Sequence, residues 1–416
     1  MAELVHRRLD CRGCASGDLD LVFSLKPSPI GDAFVTAERV AEPQPSYPID
    51  LYMCRCCGLA QLLDVVDPSV LYGDYIYVTA SSLGLADHFD EYAAGVIERC
   101  NLTKGDLVVD IGSNDGTLLS SFQRNGMTVL GVEPAPHIAA NANARGIKTV
   151  ASYFTPELSR QLVTQTGHAR LITANNVLAN IDDLRSFVEA VDLLLAQDGV
   201  FVFESSYLAD LLENSVFDFI YHEHISSFSL KPIQVLFKLV GMEVVLAQHV
   251  ATKGGSLRYF IQRSGGPMTR DGSVERVQIL EEESGLYRKE TYTRFAQTVD
   301  GLKSETRRFL ARAKSEGKSI AGFGASITGT TLIYHFEIGE YLEYLVDDNL
   351  AKQGRYSPGF HIPVLPTQAL YERKPDYVVA LAWRYVDAFV GKNRAYLAAG
   401  GQVIVPAPKF RVITNV

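Results

Sequence analysis

The stretch from Leu107 to Glu133 constrains the fold more than any other part of the chain. An apolar run through Asp110, Ile111 and Gly112 turns through Asn114, Asp115 and Gly116 into a helix-like segment. A second apolar run from Thr128 then ends in Glu133-Pro134. Strand, glycine-bearing loop, helix, strand and terminal acid, in that order, build a nucleotide-type pocket. The loop lets backbone approach a ligand, helix-end amides donate, and the terminal acid accepts from two ribose hydroxyls. The spacing is Asp110-x-Gly112-x-x-x-Gly116, which lacks the middle glycine of a dinucleotide fingerprint. Asp115 inside the loop would repel a pyrophosphate and suits a cationic ligand without phosphates. The same turn also occurs as plain α/β structure with no ligand, because a fold alone does not give function.

Beyond Glu133, helix-like and strand-like segments alternate. Helices are expected near His137–Arg145, Pro156–Thr166 and Leu184–Leu195, with strands near Thr149–Ala151, Leu171–Ala174, Gly199–Glu204, Gly241–Ala247 and Ser256–Gln262. Alternation of this kind predicts a parallel, doubly wound sheet with ligands beyond the carboxyl ends of its strands. At 416 residues the chain is long enough for two or three domains. The expected division is 1–82, 83–270 and 271–416. A net charge of −9 argues against a nucleic-acid partner, which wants a basic field. No apolar run is long enough for a membrane span, and the N-terminus lacks a signal-peptide core. A cytoplasmic protein without a membrane partner is expected, with a monomer as the simplest state.

Cys11-x-x-Cys14 and Cys54-x-x-Cys57 are two knuckles, with Cys56 between the second pair. In a reducing compartment they form a four-thiolate zinc site, closed and therefore structural. The proline-bearing spacer between them suggests extended excursions, and few apolar residues suggest stability drawn from the metal. Next come Tyr72, Tyr75 and Tyr77, then Ser81. In an extended segment Tyr75 and Tyr77 share a face; they either pack between domains or project a phenol into a site.

Two polar clusters follow the sheet strands. Asn175 and Asn176, with Asn180 close behind, come directly after the fourth strand; the pair can meet an adenine or a methionine moiety, or serve as ordinary loop residues. The second is Tyr221-His222-Glu223-His224, with a phenol, a carboxylate and two imidazoles in four consecutive positions. A base near neutral pH is most readily an imidazole. The histidines are two apart, so one helix face cannot present both to a metal, unlike His-Glu-x-x-His. Toward the C-terminus, charged helical sequence leads from Asp271 to Lys318. A second strand–glycine loop–helix unit then begins at Lys318 and runs through Gly324 to Asp347-Asp348. It predicts another Rossmann-like α/β domain that closes over the substrate.

Knuckles, Asp110–Gly116 loop and Tyr-His-Glu-His taken together resemble the S-adenosyl-L-methionine (SAM)-dependent C-methyltransferases of nucleotide-linked deoxysugars, over essentially the whole chain. The nearest type is the members acting at C-3′ in D-tetronitrose assembly. Gly254-Gly255-Ser256-Leu257-Arg258 and Asp347-Asp348-Asn349…Lys352 fit the same pattern. The resemblance implies a zinc module, a class I methyltransferase domain and a C-terminal Rossmann-like domain, with SAM and structural Zn2+ as cofactors. It implies as substrate a dTDP-linked 4-keto sugar, expected to bear a 3-amino group. His224 would be the base that forms an enolate, Glu223 its partner, and Tyr221 and Tyr75 hydrogen-bond donors to the sugar. SAM would lie against Asp110, Gly112, Asn114, Gly116, Glu133, Pro134, Asn175 and Asn176. Tyr77, Ser81, Lys253, Arg258, Lys352 and Arg355 are expected to contact sugar or diphosphate. One position departs from the pattern: Asn-Asn-Val-x-Ala-His reads Asn180 at its last residue, an amide that cannot take a proton. Competing expectations are an O- or N-methyltransferase for another small molecule, and a non-catalytic binding protein.

Overall fold

The computed structural model describes residues 5–72, 85–251 and 254–414. The segment with Tyr75, Tyr77 and Ser81 lies outside the described residues, as does Lys253.

The N-terminal unit is built on β1 (Val5–Arg7), β2 (Leu19–Ser28), β3 (Tyr47–Cys54), β4 (Ala60–Leu62) and β5 (Asp64–Val66). β2, β3 and β4 pair antiparallel in chain order, and β1 pairs with β5. The spacer between the cysteine knuckles is extended, as its prolines suggest, but it is paired sheet rather than loose excursion. Its alternate residues Phe23, Leu25, Ile49, Leu51 and Met53 are buried, so the module draws on a hydrophobic core as well as on any metal.

The central sheet takes β6 (Leu107–Ile111), β7 (Thr128–Val132), β8 (Thr149–Val150), β9 (Ala169–Asn175) and β10 (Leu195–Ser206), all parallel. After β10 the chain leaves this sheet. It runs through a short helix (Leu208–Glu213) and a 3-10 turn (Phe217–Phe219), and then forms β11 (Ser226–Ser227). β11 pairs not with its neighbours in sequence but with β4, Ser226 opposite Gln61 and Ser227 opposite Ala60. The chain then returns to the central sheet as β12 (Met242–Val250) and β13 (Ser256–Arg263), giving the order β12-β13-β10-β9-β6-β7-β8. β13 runs antiparallel to both neighbours, so the sheet is mixed, not wholly parallel as alternation suggested. The link from Val250 to Ser256 is too short for a crossover, and only a hairpin fits.

Helix ends follow local chemistry. Thr155 accepts from the Leu158 amide, Pro156 opens the helix Pro156–Thr166, and Gly167 closes it at φ +82°. Helices Ser273–Glu283 and Lys289–Ser315 then lead to the third unit. There β14 (Ile320–Phe323), β15 (Leu345–Val346), β16 (Val364–Leu365), β17 (Tyr377–Ala380), β18 (Gln402–Val405) and β19 (Arg411–Ile413) form a sheet ordered β16-β15-β14-β17-β18-β19. Only β19 is antiparallel. The long helix buries Tyr292, Phe295, Val299 and Leu310 in a core shared by β2, β3 and the C-terminal sheet. Phe23 meets Phe295 edge-on at 4.9 Å. No helix among the described residues is long and apolar enough to cross a membrane.

Candidate active site

Beginning at the knuckles, Cys11, Cys14, Cys54 and Cys57 bring four sulfurs within 4.8 Å of one another. Cys11–Cys57 and Cys14–Cys54 Sγ distances are both 3.5 Å. Thiolates at zinc distance in a tetrahedron stand about 3.8 Å apart, so the four fit one ion with no open position. Cys56 is exposed and outside the cluster.

Between two of these ligands sits Arg12, with 1% of its surface exposed. Its Nη1 donates to the Ile225 carbonyl (2.8 Å) and to Gln61 Oε1 (3.2 Å), while Nε and Nη2 both reach Asp182 Oδ1 at 3.2 Å. The Leu62 amide donates to the same Ile225 carbonyl at 2.9 Å. The knuckle therefore grips the residue next to His224. Nothing in a one-dimensional reading marks Arg12, whose partners lie 49 to 213 positions away.

At the carboxyl ends of β6 and β7 lie the loop and acid that the sequence singled out. Asp110 is buried and accepts from Thr173 Oγ1 at 2.6 Å; burial, with Glu133 adding, pushes its carboxyl up to about 7. Glu133 accepts the amides of Ala135 (2.9 Å) and Asn114 (3.0 Å), one on each oxygen. A second lone pair remains on each for a ribose diol. Asn175 keeps both side-chain polar atoms buried without a hydrogen-bond partner, as does the Ser113 hydroxyl. Buried polar atoms of this kind want a ligand or water, and the site fits SAM on that ground. Asn114 and Asn176 adopt left-handed backbone, φ +48° and +57°, which turns the two loops at the strand ends.

Two sequence arguments about this loop change. A Cβ on Gly112 would stand 2.4 Å from Val177, and one on Gly116 2.9 Å from Ile147. Both glycines also lie at positive φ, so backbone conformation and packing already require glycine at these positions. Asp115 does not face a ligand as free charge. It takes 2.6 Å and 3.2 Å bonds from Thr117 at the helix start and pairs with Arg145 at 3.1 Å.

The segment after β10 carries the phenol, the carboxylate and the two imidazoles of Tyr221–His224. His224 Nδ1 lies 3.1 Å from the Phe219 carbonyl and Nε2 lies 2.8 Å from Tyr221 Oη. A carbonyl only accepts, so Nδ1 carries the proton and Nε2 the lone pair, to which the phenol donates. The two rings stack at 4.2 Å. His222 points elsewhere: it is buried, reaches the Tyr47 carbonyl at 3.3 Å, and burial lowers it to about 4. Glu223 is 6% exposed, with its carboxyl pushed up to about 8 by burial and then by Asp32, against Lys352. Asn180 ends a 3-10 turn (Leu178–Asn180) that packs beside β11, on the side of the Tyr-His-Glu-His segment.

The expected diphosphate cations are mostly engaged within the protein. Arg258 faces Glu204 across β13 and β10, bonds it at 2.8 and 3.0 Å, and lies 4.2 Å over the Tyr92 ring. Lys352 Nζ bonds Asp32 and the Ala325 carbonyl, and Arg355 reaches the Phe34 carbonyl at 3.4 Å. Lys352 and Arg355 join the C-terminal unit to the N-terminal one, Arg258 is paired inside the central sheet, and a cation already paired has little left for a diphosphate. The sequence reading missed Asp218, Trp383 and Arg384. Fully buried Asp218 accepts from Trp383 Nε1 at 3.1 Å and from Arg384 Nη1 at 2.8 and 3.1 Å. A signal was available, since the chain's single tryptophan lies three residues past the carboxyl end of the C-terminal strand Tyr377–Ala380.

An acid-tipped α/β sheet with the motif loop at its ligand edge defines a methyltransferase of the SAM-dependent class. Family models match in succession: a putative zinc binding domain over 11–72, a methyltransferase domain over 86–247, and a C-methyltransferase C-terminal domain over 251–408. The C-methyltransferase NovU of Streptomyces niveus is 34% identical over 415 residues, spanning 100% of this chain and 99% of that one. The chain belongs to this C-methyltransferase family, with SAM as cofactor and a structural zinc site. Among solved structures, a SAM-dependent methyltransferase from Clostridium acetobutylicum is 14% identical (TM-score 0.36), covering 48% of this chain and 96% of that one. Magnesium protoporphyrin IX methyltransferase from Synechocystis is 14% identical (TM-score 0.35), covering 46% and 90%.

Proposed function

We propose that the protein methylates C-3′ of a dTDP-linked 4-keto deoxysugar bearing a 3-amino group, with His224 as the base. The observation that carries this reading is the pair of contacts on the imidazole, Nδ1 to the Phe219 carbonyl and Nε2 to the Tyr221 hydroxyl, from which the tautomer follows. Nδ1–H is held by the Phe219 carbonyl, so the lone pair of Nε2 faces the phenol of Tyr221. A C-4′ ketone acidifies the neighbouring C-3′ proton. Nε2 takes that proton, and the electron pair of the C–H bond moves into an enolate. Once protonated, Nε2 donates to the phenol oxygen, which frees the Tyr221 hydrogen for the enolate oxygen. A donor that turns to charge as it develops stabilises the transition state. Glu133, Asp110, Asn175 and neighbouring backbone would hold SAM, which would supply an electrophilic methyl group to the enolate carbon, its S–CH3 bond breaking to leave the neutral thioether. Neutral Glu223 beside the base adds a second proton donor for the sugar rather than a counter-charge for imidazolium.

The test uses dTDP-4-keto-6-deoxy sugars in deuterated water, with and without SAM, followed by proton NMR. Exchange at C-3′ is expected in the wild type and lost in His224→Asn. Exchange at the wild-type rate in His224→Asn would remove His224 from the role of base. Methylation without C-3′ exchange or loss would favour oxygen or nitrogen as acceptor.

A further inference from the structure

We propose that Asp218, held by Arg384 and Trp383 of the C-terminal unit, is a positioning residue that sets the tautomer and plane of His224. This deepens the reading of His224 as base and rests on it. Residue 219 touches His224 twice, through its carbonyl on Nδ1 (3.1 Å) and through its ring, stacked at 5.9 Å and 22°. Both contacts are backed by the C-terminal unit. Arg384 lies 4.3 Å over the Phe219 ring and 4.7 Å over the Trp383 ring. The same guanidinium bonds both oxygens of Asp218, the residue before Phe219. A buried carboxylate held across both oxygens by one guanidinium nitrogen, Nη1, and also by the Trp383 indole N–H has its orientation fixed better than a single bond would fix it. The 3-10 turn Phe217–Phe219 converts that fixed side chain into a fixed carbonyl.

On the other flank, Arg12 and the Leu62 amide fix the Ile225 carbonyl. The base thus sits on a short span pinned at residue 218 by the C-terminal unit and at residue 225 by the zinc module. Simple glue between units would need Asp218 to be paired, but would not need its neighbour's carbonyl on the imidazole.

The experiment uses full-length, zinc-loaded protein labelled with 15N-histidine, at about pH 8.5, roughly two units above the ordinary imidazole value. Loss of one spin system in His224→Asn assigns the His224 signals. The wild type is expected in the Nδ1–H form. Asp218→Asn is expected to shift population to Nε2–H and to lower kcat roughly ten- to a hundredfold, with the SAM Kd within about twofold. Arg384→Lys and Trp383→Phe, which keep charge or ring, are expected to give smaller shifts in the same order, and they decide the matter if Asp218→Asn does not fold. Folded variants whose His224 tautomer stays put, whatever happens to kcat, overturn the proposal. His224→Asn that still turns over overturns the base reading instead, while the tautomer shift would still report the contact.

Discussion

At neutral pH Glu223 holds its proton, and that is a statement about stability. Its carboxyl moves from 4.5 to about 8 because burial, and then Asp32, disfavour the charge. A carboxyl raised in the folded state contributes stability that is fully present below about 4.5 and is lost as pH climbs through about 8. Glu223→Gln removes that loss. Thermal melts should show little difference from wild type near pH 4.5 and a gain of roughly 2–4 kcal/mol above pH 8; equal gains at both pH values would contradict it. His222 works on the acid side: lowered to about 4, it holds stability above 6.5 that drains away as pH falls. Asn180 is the other residue with a definite expectation. Beside β11, a histidine there gives the site a second proton carrier, and Asn180→His should raise kcat about tenfold or more with SAM affinity unchanged. A variant no faster than the parent would leave Asn180 outside the chemistry.

At the scale of elements, β11 decides the site. Its pairing with β4 takes the Tyr-His-Glu-His segment out of the methyltransferase sheet and attaches it to the zinc module. Arg12 reinforces that attachment between two metal ligands. Arg12→Met removes a buried donor to Ile225 and a partner of Asp182. It should cost roughly 3 kcal/mol and lower kcat, with the SAM Kd kept; calorimetry and equilibrium binding measure the two halves. Stripping zinc with a chelator should lower Tm and abolish turnover, with one zinc per chain returned by metal analysis; full turnover of zinc-free protein would separate the module from catalysis. The Glu204–Arg258 pair is the corresponding element inside the sheet. Breaking it with Arg258→Met alone leaves a buried carboxylate and should cost about 3–5 kcal/mol in denaturant melts.

Across the whole molecule, the three units contribute to a common apolar cluster and are tied by several polar contacts. Lys352 of the C-terminal unit bonds Asp32 of the zinc module close to Glu223, and Arg384 bonds Asp218 of the central insert. Lys352→Met should therefore lower Tm more than it weakens nucleotide-sugar binding, which isothermal titration can separate. A hundredfold weaker Kd with unchanged Tm would return Lys352 to the diphosphate.

The sequence by itself determined whatever depends on near neighbours. Knuckle spacing, the Asp110–Gly116 turn with its terminal Glu133, helix stops such as Gly167, and the crowding of phenol, carboxylate and imidazoles in Tyr221–His224 are all local, since each follows from chain geometry over a few residues. Tertiary structure alone decided the partners. It turned His222 to the Tyr47 carbonyl, paired Arg258 with Glu204 and Asp115 with Arg145, and set Arg12 and Asp218 at the two flanks of the Tyr221–His224 segment. Burial and pairing are settled by chain segments tens to hundreds of positions apart, and a charge's role depends on what else is brought to it out of water.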